Sequence, residues 1–215
     1  ACLLFEDGVA SISQIDSIAC NAFDIGMGPF ALMNLTGPSI ALHATDYLAE
    51  QLNTSRYKGA SNLREIVSNN ELWEIDNNTE YEKSVEEIVK ERLLGQVFTV
   101  SAQIVDEEIC SKEDVDRGAK VGLRWNKGPF EMINEMGIDR VFNISEEYCK
   151  LANMDIPVLL QKQKEIDMAF DFSYVDIKIE NEIATVVLNR PEAMNALNVD
   201  LVNELGLKID QLNNR

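Results

Sequence analysis

Residues 28–37 read Gly-Pro-Phe-Ala-Leu-Met-Asn-Leu-Thr-Gly, and residues 128–137 read Gly-Pro-Phe-Glu-Met-Ile-Asn-Glu-Met-Gly. The match extends without a gap back to residues 11 and 111, over about 27 positions, where chance would give one or two identities. The eight identical pairs are Ser11/Ser111, Asp16/Asp116, Ala19/Ala119, Gly28/Gly128, Pro29/Pro129, Phe30/Phe130, Asn34/Asn134 and Gly37/Gly137. The spacing of one hundred residues therefore predicts a duplicated domain.

Both copies carry the signals of short helices separated by glycine loops. Capping boxes are predicted where a serine precedes an aspartate by three residues, at Ser13/Asp16 and Ser111/Asp114. Pro29 and Pro129 suit the first turn of the next helix, where a missing N–H costs nothing. Gly37 and Gly137 suit a left-handed residue that closes this helix. The repeat is thus predicted to be helical.

The remaining patterns extend this prediction along the chain. Pro38 opens a longer helix with an apolar stripe at helical spacing: Ile40, Leu42, His43, Tyr47, Leu48 and Leu52. Residues 79–108 form the longest helical pattern and should bury Val85, Ile88, Val89, Leu93, Val97, Val100 and Ile104. Ser145 is expected to cap a final short helix. From residue 175 the pattern changes to a β-hairpin, after which Asn198 caps a helix beginning at Val199.

Composition limits the partners and the compartment. The net charge of −18 makes nucleic acid a poor partner, because its phosphates would be repelled. None of the four cysteines forms a CxxC motif and no signal peptide is visible, which favours reduced thiols and a cytoplasmic location. No apolar run approaches the roughly 18 residues of a membrane span. No metal site is predicted. Both ends of the sequence fall inside helical patterns, which suggests an excerpt from a longer polypeptide.

The segment from Asp7-Gly8-Val9-Ala10 through Gly26-Met27-Gly28-Pro29-Phe30 to Gly37 resembles the C-terminal helical domain of 3-hydroxyacyl-CoA dehydrogenases. Residues 94–163 resemble the second copy of that domain in multifunctional fatty-acid oxidation enzymes. Two departures stand out within these copies. Gly26 and Asn126 replace a proline that the family usually has, and Asn34 and Asn134 stand where aspartate is common.

A second resemblance covers the tail. Residues 187–197, Val-Leu-Asn-Arg-Pro-Glu-Ala-Met-Asn-Ala-Leu, are similar to the opening of enoyl-CoA hydratases of the crotonase family. Together the resemblances imply a dehydrogenase fused to a hydratase. The expected fold is all-α, with two tandem 6-phosphogluconate-dehydrogenase-C-terminal-like domains in a pseudo-twofold arrangement, followed by a hairpin and helix of a truncated crotonase domain. The expected boundaries are residues 1–78, 79–169 and 170–215.

The resemblance implies a parent enzyme that oxidises 3-hydroxyacyl-CoA to 3-oxoacyl-CoA in fatty acid metabolism. NAD would be bound by a Rossmann domain absent from this chain, and the partners would be that domain, the rest of the crotonase domain and the acyl-CoA substrate. No GxGxxG motif is present, and His43 lies within a helical stripe without a family motif around it. No catalytic residue is therefore assigned, and the fragment is predicted to be inactive.

The substrate-facing candidates are Gly26, Met27, Gly28, Pro29 and Phe30, because the family's first loop approaches the acyl chain. The competing interpretation is that Gly-Pro-Phe only starts a helix and supplies a core phenylalanine, since it recurs in a copy without an active site of its own. In the leading hypothesis, this chain is the cleft wall and dimer-like scaffold of the enzyme. The alternative is a non-catalytic helical scaffold or partner-binding protein.

Overall fold

The computed structural model describes residues 1–76, 79–190 and 193–214. Asn77 and Asn78, at the expected first boundary, and Pro191 and Glu192 of the hydratase-like motif lie outside the described residues. The helices are α1 (Cys2–Glu6), α2 (Ile12–Phe23), α3 (Pro29–Thr36), α4 (Pro38–Gln51), α5 (Ser61–Asn69), α6 (Lys83–Asp106), α7 (Lys112–Gly122), α8 (Pro129–Met136), α9 (Ile138–Ala152), α10 (Val158–Ile166) and α11 (Val199–Asn213). The strands are β1 (Val175–Glu180) and β2 (Ile183–Leu188), and a 3-10 turn covers Ser55–Tyr57.

The helix starts follow local chemistry, with two corrections to the predicted caps. Ser11, rather than Ser13, caps α2, because its hydroxyl accepts from the Gln14 N–H while the Gln14 side chain accepts from the Ser11 N–H. Ser145 caps no helix and lies buried within α9. The carboxylate of Asp106 instead accepts the Leu159 N–H at the start of α10. Helix α10 is thus capped by an acid that is distant in sequence, which local patterns do not predict.

Helix α6 is the central element and contacts α2, α7, α8, α9 and α10. Its surroundings differ from the single buried face that periodicity predicts. Ile88, expected inside, is 49% exposed, whereas Leu94, Phe98 and Ala102 are buried. A helix with neighbours on several sides buries residues all round, so a one-sided pattern misplaces some of them.

Two apolar clusters share this helix. Its early residue Val89 packs into a first cluster with Ile15, Phe30 and Trp73. Its later residues pack into a second cluster: Leu94, Phe98 and Ala102, together with Phe130, Val141, Leu160 and Phe170. Helix α2 also serves both clusters, because Ala19 and Phe23 belong to the second. The two helical segments therefore share α2 and α6, each of which contributes to both clusters.

The tail contains the predicted hairpin and helix. Strands β1 and β2 pair antiparallel, with Val175 opposite Leu188 and Glu180 opposite Ile183. The Asn198 side chain accepts from the Leu201 N–H and caps α11, as predicted. Leu201 and Val175 are fully buried where α11 packs on β1. The division of the chain at residues 78 and 169 stays a prediction.

The apolar stripe of α4 is mostly exposed, although its spacing is typical of a buried helix face. Ile40, Tyr47, Leu48 and Leu52 are between 41% and 62% exposed, and His43 is exposed as well. The helix is held to α3 and α5 through its other side. Within the described residues, no helix is long and apolar enough to cross a membrane.

Candidate functional site: two anchored glycine loops

The first glycine loop is fixed by a carboxylate from the preceding helix. Both oxygens of Asp16 accept backbone N–H groups at the start of α3, from Phe30 and Ala31, each at 2.8 Å. Asp16 is buried within α2, so it caps a helix fourteen residues further along the chain. Gly28 must pass close to it, because a Cβ atom at this position would lie 2.6 Å from the Cα of Asp16. The glycine is needed for close approach and not for an unusual φ.

The second loop repeats this arrangement. Asp116 accepts from the Phe130 N–H at 2.7 Å and the Glu131 N–H at 3.0 Å. A Cβ on Gly128 would lie 2.6 Å from the Cα of Asp116. The same aspartate–glycine contact therefore shapes both loops.

The two anchoring carboxyls share one electrostatic property. Burial raises the pKa of Asp16 above its usual value, although the N–H groups it accepts oppose the rise. Burial also raises the pKa of Asp116, to about 6, and the nearby Glu131 carboxylate adds to this rise. A buried carboxyl group holds its proton more tightly than an exposed one, and the Lys120 ammonium only partly opposes this at Asp116.

Asn34 and Asn134 join each loop helix to the end of its own segment. The Asn34 side chain donates to the Trp73 carbonyl and accepts from the Trp73 N–H, both at 2.9 Å. Asn134 makes the same pair with Phe170, at 2.8 and 2.7 Å. An aspartate could accept but not donate, which explains an amide at these two positions in this chain.

The bridged aromatic residues also occupy equivalent places. Trp73 meets Phe30 edge to face, with ring centroids 4.9 Å apart. Phe170 meets Phe130 in the same way at 5.0 Å. The correspondence extends beyond the residues that are identical in sequence, because Trp73 and Phe170 differ in type.

The five predicted site residues do not share one environment. Gly26 and Met27 are exposed at the tip of the loop, Pro29 is half-buried, and Gly28 and Phe30 are buried. Gly28-Pro29-Phe30 begins α3 and supplies a core ring, as the competing interpretation expects. Gly26 and Met27 present the most accessible surface of the five, and substrate contact by any of the five stays a prediction.

The two loops meet at the junction of the segments. The rings of Phe23 and Trp125 stack with centroids 4.8 Å apart, and the Asn126 side chain donates to the Asp24 carboxylate. Beside this junction lies an open cavity of about 480 Å³. Its lining includes the apolar residues Phe23, Leu94, Met132 and Met136 and the cations Lys90, Lys127 and Arg140. Two of these cations are paired, Lys127 with Glu135 and Arg140 with Glu91.

The described residues do not fit a nicotinamide dinucleotide. Such a cofactor is bound at a glycine-rich turn between a parallel strand and a helix, whereas the sheet in the described part of the chain is a two-stranded antiparallel hairpin. His43 is exposed on α4, with its ring 6.3 Å from that of Tyr47. Among the residues that the structure describes, no three His, Cys, Asp or Glu side chains are grouped to hold a metal ion. We therefore derive no reaction step through NAD on this chain.

Sequence reasoning missed the anchoring role of Asp16 and Asp116. The signal was available, because both aspartates are identical in the repeat and both precede a Gly-Pro-Phe by the same spacing. Only the fold shows that the spacing places the carboxylate under the next helix. The bridging role of the two asparagines was missed for the same reason.

The chain is similar to known dehydrogenases in sequence and in fold. The family described as 3-hydroxyacyl-CoA dehydrogenase, C-terminal domain, matches residues 1–82 and 88–170. The fold is similar to a crystal structure of 3-hydroxybutyryl-CoA dehydrogenase from Escherichia coli K12, with a TM-score of 0.63 and 12% sequence identity. The alignment covers 77% of this chain and 57% of that one, so the chain spans little more than half of its length. No curated protein sequence matches the chain.

Proposed function

This chain belongs to the family of 3-hydroxyacyl-CoA dehydrogenase C-terminal domains, and we propose that it forms one wall of an acyl-CoA cleft. In this proposal, the enzyme oxidises 3-hydroxyacyl-CoA to 3-oxoacyl-CoA. The reacting groups and NAD belong to a Rossmann domain outside this chain. The chain itself contributes a rigid surface and a scaffold.

The observation that carries the proposal is the anchored first loop. Two hydrogen bonds to Asp16 hold its base, while Gly26 and Met27 remain exposed at its tip. A loop held at its base can present an apolar side chain to a ligand without losing much conformational freedom on binding. The second loop carries Lys127 where the first carries Met27, so it offers a charge instead of an apolar contact.

The proposed scaffold is a duplicated domain that acts as an internal dimer. Its support is the repeated set of contacts: an aspartate under each glycine loop, an asparagine bridge and an edge-to-face aromatic pair. Two copies in one chain can bury the surface that separate subunits would otherwise share. The clusters that both segments build around α6 fit this arrangement.

We further propose that residues 170–215 begin a crotonase-type hydratase domain. The hairpin, α11 and the connection between them leave several large apolar side chains more than 40% exposed: Ile179, Ile183, Met194, Leu197, Val199, Val202, Leu207 and Ile209. An apolar surface on so small a unit is typical of a face that a larger domain covers.

A second candidate function is a helical scaffold that binds no substrate. It is favoured by the anchoring of Gly28 and Gly128, because this contact accounts for Gly-Pro-Phe in both loops without a ligand. The two candidate functions differ at Gly26 and Met27. The cleft wall requires these residues to contact the substrate, and the scaffold does not.

The test is a titration of the isotope-labelled chain with acetoacetyl-CoA, a stable 3-oxoacyl-CoA, followed by amide chemical shifts. We expect shifts at residues 26–27 that free CoA does not reproduce, and none at residues 126–127. The exchanged variants Met27→Lys and Lys127→Met are the matched pair, and only the first should lose the shifts. If ~1 mM acetoacetyl-CoA moves neither loop, or moves both equally, the scaffold interpretation replaces the cleft wall.

NAD gives an independent check. Calorimetry of the chain with NAD should show no binding, because the glycine-rich strand–turn–helix that such cofactors require has no counterpart in the described residues. Clear binding would contradict the assignment of the cofactor to another domain.

A further inference from the structure

The entry to the first loop is shaped by an aspartate in a sparsely populated backbone conformation. Asp24 closes α2 with φ of +51° and ψ of +52°, in the left-handed region that residues other than glycine seldom adopt. The Ile25 N–H that follows donates to the Cys20 carbonyl at 3.1 Å. Beyond this bond, the N–H groups of Gly26 and Met27 have no acceptor among the described residues. The shape of the loop tip therefore depends on what holds Asp24 in place.

The contacts that hold Asp24 come from the second segment. The Asn126 side chain donates to the Asp24 carboxylate and lies 3.5 Å from the Asp24 main-chain carbonyl oxygen. A hydrogen bond that ends on a charged carboxylate is stronger than one between neutral groups. The preceding residue, Trp125, is half-buried, and its ring stacks on Phe23 with centroids 4.8 Å apart and planes inclined by 28°. These two contacts, Asn126 with Asp24 and Trp125 with Phe23, form a clasp between the loops.

The clasp acts in one direction only. The counterpart of Asp24, one hundred residues further on, is Arg124, which has a similar φ of +57°. The Arg124 side chain makes no hydrogen bond or ion pair with any residue that the structure describes. Leu123, the counterpart of Phe23, is 63% exposed, and a glycine stands in the first loop where the second has Asn126. The second loop therefore holds the entry to the first, and within the described residues it receives no such contact in return.

The clasp restrains the end of the first loop that Asp16 does not reach. Asp16 fixes the far end, where it accepts the Phe30 and Ala31 N–H groups. With Asp24 fixed at the near end, Met27 lies between two held points, although its side chain is 41% exposed. A short segment held at both ends has fewer conformations to lose on binding than one held at a single end.

We propose that Asn126, assisted by Trp125, is a positioning residue that holds the first loop in the shape that receives an acyl chain. It acts through Asp24 and touches no reacting atom. The inference rests on the proposed cleft wall, because it gives the second copy a role in binding at the first. A proline at position 126 could not make this contact, since it has no side-chain donor.

The first measurement is the backbone order of the free, full chain, from nitrogen-15 relaxation. Asn126→Ala removes the amide donor at an exposed position, so the urea midpoint should stay unchanged. The order parameter at residues 25–27 should fall from ~0.85 to below ~0.6, whereas residues 30–33 should keep theirs because Asp16 still holds them. Lys127→Ala removes the next side chain along the loop and is the matched control, which should change none of these values.

The second measurement is the affinity for acetoacetyl-CoA, followed by the Met27 methyl signal. Asn126→Ala should raise Kd by ~3–10-fold, because the ligand must then order the loop, and Lys127→Ala should leave Kd unchanged. Adding Gly26→Pro to Asn126→Ala should restore both the order and the affinity, because the ring fixes φ at about −65°. Position 26 has room for the ring, since an added Cβ would meet no atom within 4 Å.

The outcomes separate this inference from the proposed function. Unchanged order at residues 25–27 in Asn126→Ala overturns the clasp as a restraint on the loop. Loss of order with unchanged affinity, or weak affinity that persists after Gly26→Pro has restored the order, shows a structural contact only and overturns the positioning role. If the wild-type chain binds no acetoacetyl-CoA while Asn126→Ala still loses order, the cleft wall is wrong, and the substrate role of Asn126 is refuted with it.

Discussion

An alanine at position 28 would place its Cβ 2.6 Å from the Cα of Asp16 and 2.5 Å from its Cβ. Side-chain rotation cannot relieve a contact with a backbone atom, so α2 and the loop must separate. The φ of Gly28 is −75°, which alanine adopts freely. Gly28→Ala therefore isolates the close approach from any effect of backbone conformation.

The expected cost follows from two contributions. Forcing extra volume into a packed contact costs ~1–3 kcal/mol. Separating Asp16 from the Phe30 and Ala31 N–H groups weakens a helix cap, which costs ~1–2 kcal/mol. The alanine lowers the entropy of the unfolded chain and returns ~0.4–1 kcal/mol. The free energy of unfolding should thus fall by about 1–4.5 kcal/mol.

Urea denaturation followed by circular dichroism and by tryptophan fluorescence measures this change. Trp73 lies 4.9 Å from Phe30, so its emission reports the first core directly. The control is Gly26→Ala in the same loop, where a Cβ would meet no atom within 4 Å. That variant should stay within ~0.5 kcal/mol of the wild type.

The comparison of the two variants decides the outcome. Equal stability of Gly28→Ala and Gly26→Ala would refute the argument that Asp16 requires a glycine beneath the helix. A fall in the free energy of unfolding that is confined to Gly28→Ala would agree with this argument.

Three further predictions concern the second segment. Asn134→Asp removes the amide donor of its backbone bridge and should lower the free energy of unfolding by ~1–3 kcal/mol in urea. Burial raises the pKa of Asp116 to about 6, so the folded protein holds this proton more tightly than the unfolded chain does. Wild-type stability relative to Asp116→Asn should therefore fall as the pH rises from about 4 to 7, by about 3 kcal/mol at most, and a flat difference between the two urea midpoints would contradict this. Gly95→Ala, whose Cβ would press on the Ile144 carbonyl, should destabilise by ~1–3 kcal/mol, whereas Gly118→Ala should stabilise by ~0.5–1 kcal/mol in thermal melts.

Local patterns predicted the helices and strands better than they predicted which residues of those helices are buried. The hairpin, the Asn198 cap and the proline-started helices α3, α4 and α8 all follow from chemistry within a few residues. Ser13 is not the cap of α2 because Ser11, two residues earlier, lies next to the free N–H groups. Ser145 is not a cap because α9 continues through it. The prediction of buried residues on α6 was wrong at Ile88 because periodicity gives the apolar side of a helix but not the number of its neighbours.

The candidate site likewise has one part that local patterns predict and another that they do not. The repeat marked the glycine loops, since Gly-Pro-Phe is a local signal for a helix start. The residues that hold those loops, Asp16 and Asn34, act on backbone groups fourteen and thirty-nine residues away. No local rule links residues at such separations.

The sequence by itself determined that the chain is helical, that its pattern returns after one hundred residues, and that its tail begins with a hairpin. These features rest on φ preferences, capping groups and apolar spacing, which act between near neighbours. Only the tertiary structure decided that Asp16 and Asp116 lie under the helices they cap, that α6 joins two cores, and that the stripe on α4 faces outward. Each of these depends on which distant segments meet, and that is set by packing of the whole chain.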